Sequence, residues 1–165
     1  MDFELIVFDW DGTLMDSQAR IVDCILAAFA DMGLEAPSRE AAADIIGLGL
    51  DDAMARLWAG AGPAQRTELA GHYRRHFLVD NPTRSELFPG ALETLALLRE
   101  RGYLLAVATG KSRVGLEKSL AETGLGGHFH ATRCADETFS KPHPQMLLEL
   151  IEELGVRAVQ TLMVG

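Results

Sequence analysis

The chain has 165 residues, 48% of them hydrophobic, with a formal net charge of -9 and a pI near 4.9. That length can bury one real core, or one core with a small appended unit. No run of Lys and Arg is long enough to track a phosphate backbone, so nucleic acid is not an expected partner.

Two cysteines, Cys24 and Cys134, lie far apart and outside any metal-ligand spacing, and both are expected to be buried free thiols. Met1-Asp2-Phe3-Glu4 has no basic region ahead of its short apolar stretch, so a signal peptide is not expected. No apolar run approaches the roughly 18 residues a membrane helix needs. The expectation is a soluble, cytoplasmic chain without a membrane partner, either monomer or homodimer.

Leu5-Ile6-Val7-Phe8 is a short apolar run ending at Asp and Gly, which predicts a buried parallel strand with its functional loop at the C-terminal end. From about Met15 to Asn81 no strand is predicted. Ile21, Ile25, Ala28, Phe29 and Met32 recur at helical spacing, and Gly33 closes that helix. Ser38 is placed to cap a second helix through Ile46, and Asp51–Ala59 and Gln65–Asp80 read as two more. Pro82 and Pro89-Gly90 mark the return. A helix over Ala91–Arg101 then leads to a strand over Tyr103–Ala108. Next come a helix over Arg113–Thr123, a strand over Phe129–Arg133, a helix over Pro144–Leu154 and a strand over Val159–Val164. The alternation predicts an α/β fold: an open parallel Rossmann-like sheet with helices on both faces. An all-helical unit over residues 15–82 is inserted between two pieces of the core, 1–14 and 83–165.

Chemistry is concentrated at Asp9-Trp10-Asp11-Gly12-Thr13-Leu14, directly after the first strand. Carboxylates at the open end of a parallel strand lie in the crevice where α/β sheets bind ligands. Gly12 permits a tight turn that brings amides close to an anion. An Asp-x-Asp-Gly turn alone is common. Here Thr109-Gly110 ends the second strong strand, and Lys141-Pro142 precedes a helix after the third.

With this string and these two elements in order, the chain resembles the haloacid dehalogenase-like hydrolase superfamily, in its phosphoglycolate phosphatase-like branch with a helical cap. The resemblance implies that Asp9 is a nucleophile that forms an aspartyl-phosphate. Asp11 is implied as the general acid and base, with its main-chain carbonyl offered to Mg²⁺. Thr109, Gly12, Thr13 and Gly110 are implied as holders of the phosphoryl oxygens, and Lys141 as the lysine that neutralises them. Charge explains these residue types. A phosphate monoester brings almost two negative charges, Asp9 adds another, and Mg²⁺ with one Lys restores approximate neutrality. Asp11 favours phosphoryl transfer over dehalogenation, because halide leaves without a proton. The expected partner is a small phosphorylated metabolite, phosphoglycolate or a sugar phosphate.

In the resembling family the helical insertion is a mobile cap, and Gly47-Leu48-Gly49 suits its substrate-facing loop. Arg20, Arg56 and Arg74-Arg75 read as solvated faces, Trp58 as cap core, and His72 and His76 as surface or packing residues on one helical face. His143 is expected to shape the turn presenting Lys141. The family's fourth motif, Gly-Asp and a second acid, would continue from Gly165 and complete the metal site. The expectation is therefore weak Mg²⁺ binding and little turnover in this chain. Two alternatives stay open: a β-phosphoglucomutase-type phosphotransferase, and a non-catalytic module phosphorylated at Asp9.

Overall fold

In the computed structural model, which describes residues 3–82 and 85–165, Leu5–Phe8 forms strand β1 with all four side chains buried. Its neighbours come from far along the chain. Leu104–Thr109 (β4) pairs with one edge of β1, Leu5 opposite Leu104, and Thr161–Val164 (β6) with the other, Leu5 opposite Thr161. Ala131–Cys134 (β5) extends the sheet beyond β4. The order is β5-β4-β1-β6, and every pair is parallel.

Alternation along the strands builds two cores. Ile6, Phe8, Leu105 and Val107 pack with Leu95 of helix α5 (Ala91–Glu100) and Leu116 of α6 (Arg113–Thr123). Leu5, Val7, Ala106 and Ala108 pack with Met146 and Leu150 of α7 (Gln145–Leu154). Helices thus cover both faces, as the alternation predicts. Two strands begin later than expected. Gly126–His128 and Ala158–Gln160 take 3₁₀ turns, so pairing starts at Ala131 and Thr161.

Between β1 and α5 lie four α-helices: α1 (Gln18–Asp31), α2 (Arg39–Ala43), α3 (Leu50–Leu57) and α4 (Pro63–Arg75). They share their own core, in which Cys24, Ile25, Ala28, Met54 and Leu69 are fully buried, and Trp58 packs against it. Three corrections arise here. Met15–Asp16 and Glu86–Leu87, strands β2 and β3, pair antiparallel where no strand was expected; two residues are too few to show a period. Ser38 does cap α2, accepting from the amide of Ala41 at 3.1 Å, but the helix stops at Ala43. The chain then turns tightly, Ile46 N–H to Ala43 O and Leu48 N–H to Ile45 O, which carries Gly47 toward the sheet. The last expected helix ends in a π turn, His76–Asp80, closed by Asn81 N–H to His76 O. The expected boundary between residues 82 and 83 adjoins Thr83 and Arg84, which lie outside the described residues.

His72 and His76 converge on one carboxylate. Asp31 Oδ2 lies 2.8 Å from His76 Nε2, 3.1 Å from His72 Nδ1 and 3.2 Å from Arg75 Nη2. The His76 hydrogen bond, then those of His72 and the Arg75 charge, hold the Asp31 carboxyl below its ordinary value of 3.8. A depressed carboxylate contributes stability above its unfolded pKa and loses it as pH falls through the folded one. The thermal midpoint of the parent is therefore expected to fall more steeply below about pH 4 than that of Asp31→Asn. Parallel pH curves for the two would refute the assignment.

Among the described residues no helix is long and apolar enough to cross a membrane.

Candidate active site

Loops at the C-terminal ends of β1, β4 and β5 converge at one crevice, where the parallel topology directs a ligand. Asp9 leaves β1 with its amide donating to Val164 O at 2.9 Å, which fixes its backbone against β6. Its Oδ1 accepts from the Trp10 amide at 2.7 Å and from Lys141 Nζ at 2.9 Å. Lys141 arrives from the loop before α7. That turn is held by His143, whose amide donates to Ser140 O at 3.0 Å and whose Nδ1 accepts from the Gln145 amide at 3.2 Å.

Trp10 is fully buried and its carbonyl gathers the amides of Thr13, Leu14 and Met15. Gly12, at φ +82°, makes that loop possible. Its own amide donates to Met15 O at 2.9 Å, inside the tight turn expected of it. Thr13 remains beside the site. A Cβ built on Gly165 would stand 3.0 Å from Asp9 Cβ and 3.7 Å from Thr13 Oγ1.

Thr109 ends β4 almost fully buried, and its hydroxyl accepts from the Lys111 amide at 3.2 Å. Gly110 has no room for a side chain. A Cβ there would meet Leu48 O at 2.4 Å and Gly47 O at 2.6 Å, because the turn after α2 lies directly on it. Gly47, at φ +99°, faces Asp9, with a built Cβ 3.7 Å from Asp9 Oδ2. The insert also touches the Lys141 loop, where Ser140 Oγ donates to Asp52 Oδ2 at 2.7 Å.

Asp11 is held by two groups that the sequence did not single out. Ser17 Oγ donates to its Oδ1 at 2.7 Å, and Lys111 Nζ lies 3.1 Å from each of its oxygens. Lys111 follows Thr109-Gly110 at the end of a parallel strand, and that position was the signal available for it. Arg20 departs from the solvated reading, whereas Arg74 is exposed as expected. Arg20 donates to Phe77 O at 2.7 Å with its guanidinium 4.5 Å above the Phe77 ring, and Arg74 lines the cleft.

The resulting cleft encloses about 90 Å³ between Asp9, Asp11, Thr109 and Lys111 on one side and apolar side chains of the insert on the other. Tyr73 lines it too. Burial, with a smaller contribution from the Asp11 charge, pushes its phenol well above the ordinary value of 10.0, so it stays a neutral O–H group. Burial likewise lifts Cys24 to about 11 and Cys134 to about 12, which leaves both as protonated thiols outside the chemistry.

The Asp9 carboxylate, whose Oδ2 lies on the Gly47 side of the cleft, is a hard oxygen donor of the kind that suits a divalent cation. Among the described residues no cluster of three acidic, His or Cys side chains joins it.

Comparison with known proteins agrees with this geometry. The family model described as haloacid dehalogenase-like hydrolase matches residues 6–165. Probable phosphatase IndB of Dickeya dadantii is 36% identical over 167 residues, covering 98% of this chain and 72% of that protein. The phosphoglycolate phosphatase of Agrobacterium fabrum is 31% identical over 166 residues, covering 98% of this chain and 71% of that one. A crystal structure titled as a predicted phosphoglycolate phosphatase, from Haemophilus somnus, superposes with a TM-score of 0.89 at 28% identity. It covers 100% of this chain and 77% of that one. On the match across nearly its whole length, the chain belongs to the haloacid dehalogenase-like hydrolases, in the phosphoglycolate phosphatase-like branch.

Proposed function

We propose that the chain is a Mg²⁺-dependent phosphomonoesterase for a small phosphorylated metabolite, working through an aspartyl-phosphate at Asp9. The observation that carries this reading is the Asp9 carboxylate itself. It is oriented by the Trp10 amide and Lys141 while its second oxygen faces a small cleft. Asp9 attacks phosphorus in line with the leaving oxygen, and Asp11 protonates that oxygen as it departs. Asp11 then takes a proton from the water that hydrolyses the aspartyl-phosphate, returning Asp9. Thr109 holds a phosphoryl oxygen, and Lys141 moves from Asp9 to share the added negative charge.

Asp9 and the Asp11 main-chain carbonyl would hold Mg²⁺, which when bound supplies positive charge that orients and neutralises the phosphoryl group. Residues 15–82 act as the cap over the cleft, which their apolar side chains line.

The test is phosphate release from a panel of metabolite phosphates, with Mg²⁺ titrated. Release is expected to rise with Mg²⁺ to a plateau and to be abolished by chelator. Release unaffected by chelator would overturn the Mg²⁺ dependence. No release from any member at any Mg²⁺ concentration would overturn the phosphatase reading.

A further inference from the structure

Lys111 is a charged group that the proposed chemistry leaves without a task. Its side chain is 8% exposed and that of Asp11 is 10%. Its ammonium sits 3.1 Å from both oxygens of Asp11 and 4.4 Å above the ring of Phe77. The main chain at Lys111 is pinned: its carbonyl accepts from the Ala135 amide at 3.0 Å and its amide donates to Thr109 Oγ1. The stem and head are therefore the parts free to move.

Two consequences follow for Asp11. With Lys111 on both oxygens and Ser17 Oγ on Oδ1, its carboxylate is clamped at the cleft wall. A carboxylate held that way is not turned toward a leaving oxygen. A lysine this buried also cannot simply let go, since an unpaired ammonium in a desolvated site costs far more than the pair gains. Release requires a replacement anion. Lysine suits such an exchange, because its ammonium is a compact point charge on a flexible chain and imposes no planar geometry on its partner. The cleft supplies no such anion: besides Asp9 and Asp11, its lining carries apolar side chains, hydroxyls and the cations Lys111 and Arg74.

We propose that Lys111 selects the leaving group: its ammonium, resting on Asp11 in the free protein, passes to a carboxylate on the alcohol side of the phosphomonoester. The exchange breaks one ion pair and forms another, with no covalent change. By leaving, Lys111 frees the Asp11 carboxylate, which takes up a proton from solvent and turns to the leaving oxygen as the acid. A substrate without the second anion leaves Lys111 where it is, and binds with Asp11 still clamped. Lys111 is thus a specificity residue toward substrate and a positioning residue toward Asp11. This inference rests on the reading of the cleft as a phosphoryl site.

The experiment uses the chain carrying Asp9→Asn, which binds without turning over, in excess Mg²⁺. Calorimetry compares 2-phosphoglycolate, ethyl phosphate and inorganic phosphate. Phosphoglycolate is expected to bind about tenfold tighter than ethyl phosphate, the worth of one charge-assisted contact. Lys111→Met should erase that preference, and Lys111→Arg should retain most of it, a rescue that loss of packing would not show. Cooperative thermal unfolding checks each variant, and Lys111→Gln replaces the Met variant should that one fail to fold. Equal binding of the two esters, or a preference that survives Lys111→Met and Lys111→Gln, would overturn the inference while leaving the phosphoryl site intact. Binding of none of the three ligands would overturn the phosphoryl site first, and the inference with it.

Discussion

Asp9→Asn is expected to lower phosphate release by about 10⁴-fold or more while leaving the fold in place. The amide is isosteric with the carboxylate, and its oxygen can still accept from the Trp10 amide that now holds Oδ1 at 2.7 Å. It is neutral and a poor nucleophile, so the aspartyl-phosphate does not form. Lys141 loses its partner at 2.9 Å, but both side chains keep some contact with solvent, at 23% and 14% exposure. Partly exposed pairs of this kind contribute about 1 kcal/mol or less. A midpoint of thermal unfolding within a few degrees of the parent, together with phosphate release at background, is the expected result. Release within tenfold of the parent would remove Asp9 from the mechanism.

Gly110→Ala has the next largest expected effect, and it acts through shape. The new methyl group would meet two main-chain carbonyl oxygens, Leu48 O at 2.4 Å and Gly47 O at 2.6 Å. Neither can rotate away as a side chain would. The turn at Gly47-Leu48 must withdraw by about 1 Å to restore ordinary contact, and displacements of that size at a reacting centre cost about 10²-fold in rate. Leu48 also packs against the core of the insert, so a modest fall in the thermal midpoint should accompany the loss of rate. The check pairs turnover with thermal unfolding. A variant that keeps more than a third of the parent's rate would show that the contact between insert and core does not matter for the chemistry.

The parts of the site that were legible in the sequence are those fixed by local structure. Asp9, Asp11 and Thr109 stand immediately beside strands whose burial makes them unmistakable, and Lys141 precedes a well-marked helix. What the sequence hid depends on contacts between distant segments. The Lys111 clamp on Asp11 spans 100 positions, and nothing in the spacing of either residue announces it. Gly110 was read as a donor of its amide, whereas its missing side chain is what lets the insert settle on the sheet. Short elements were illegible for another reason: β2 and β3 have two residues each, too few for any period to appear.

The position of β1 has a consequence for how the chain acquires its structure. It is made first, yet its two partners are β4, about 100 residues later, and β6, at the far end of the described fold. At roughly 5–20 residues per second, several seconds of synthesis separate β1 from β4. The four helices of the insert contact one another locally and can collect their own core as they emerge. Meanwhile Leu5-Ile6-Val7-Phe8, apolar on both faces and open on both edges, waits unpaired. The segment that positions the nucleophile is therefore also the segment most exposed to misassociation during biosynthesis, and the early-folding insert is tethered beside it throughout that interval.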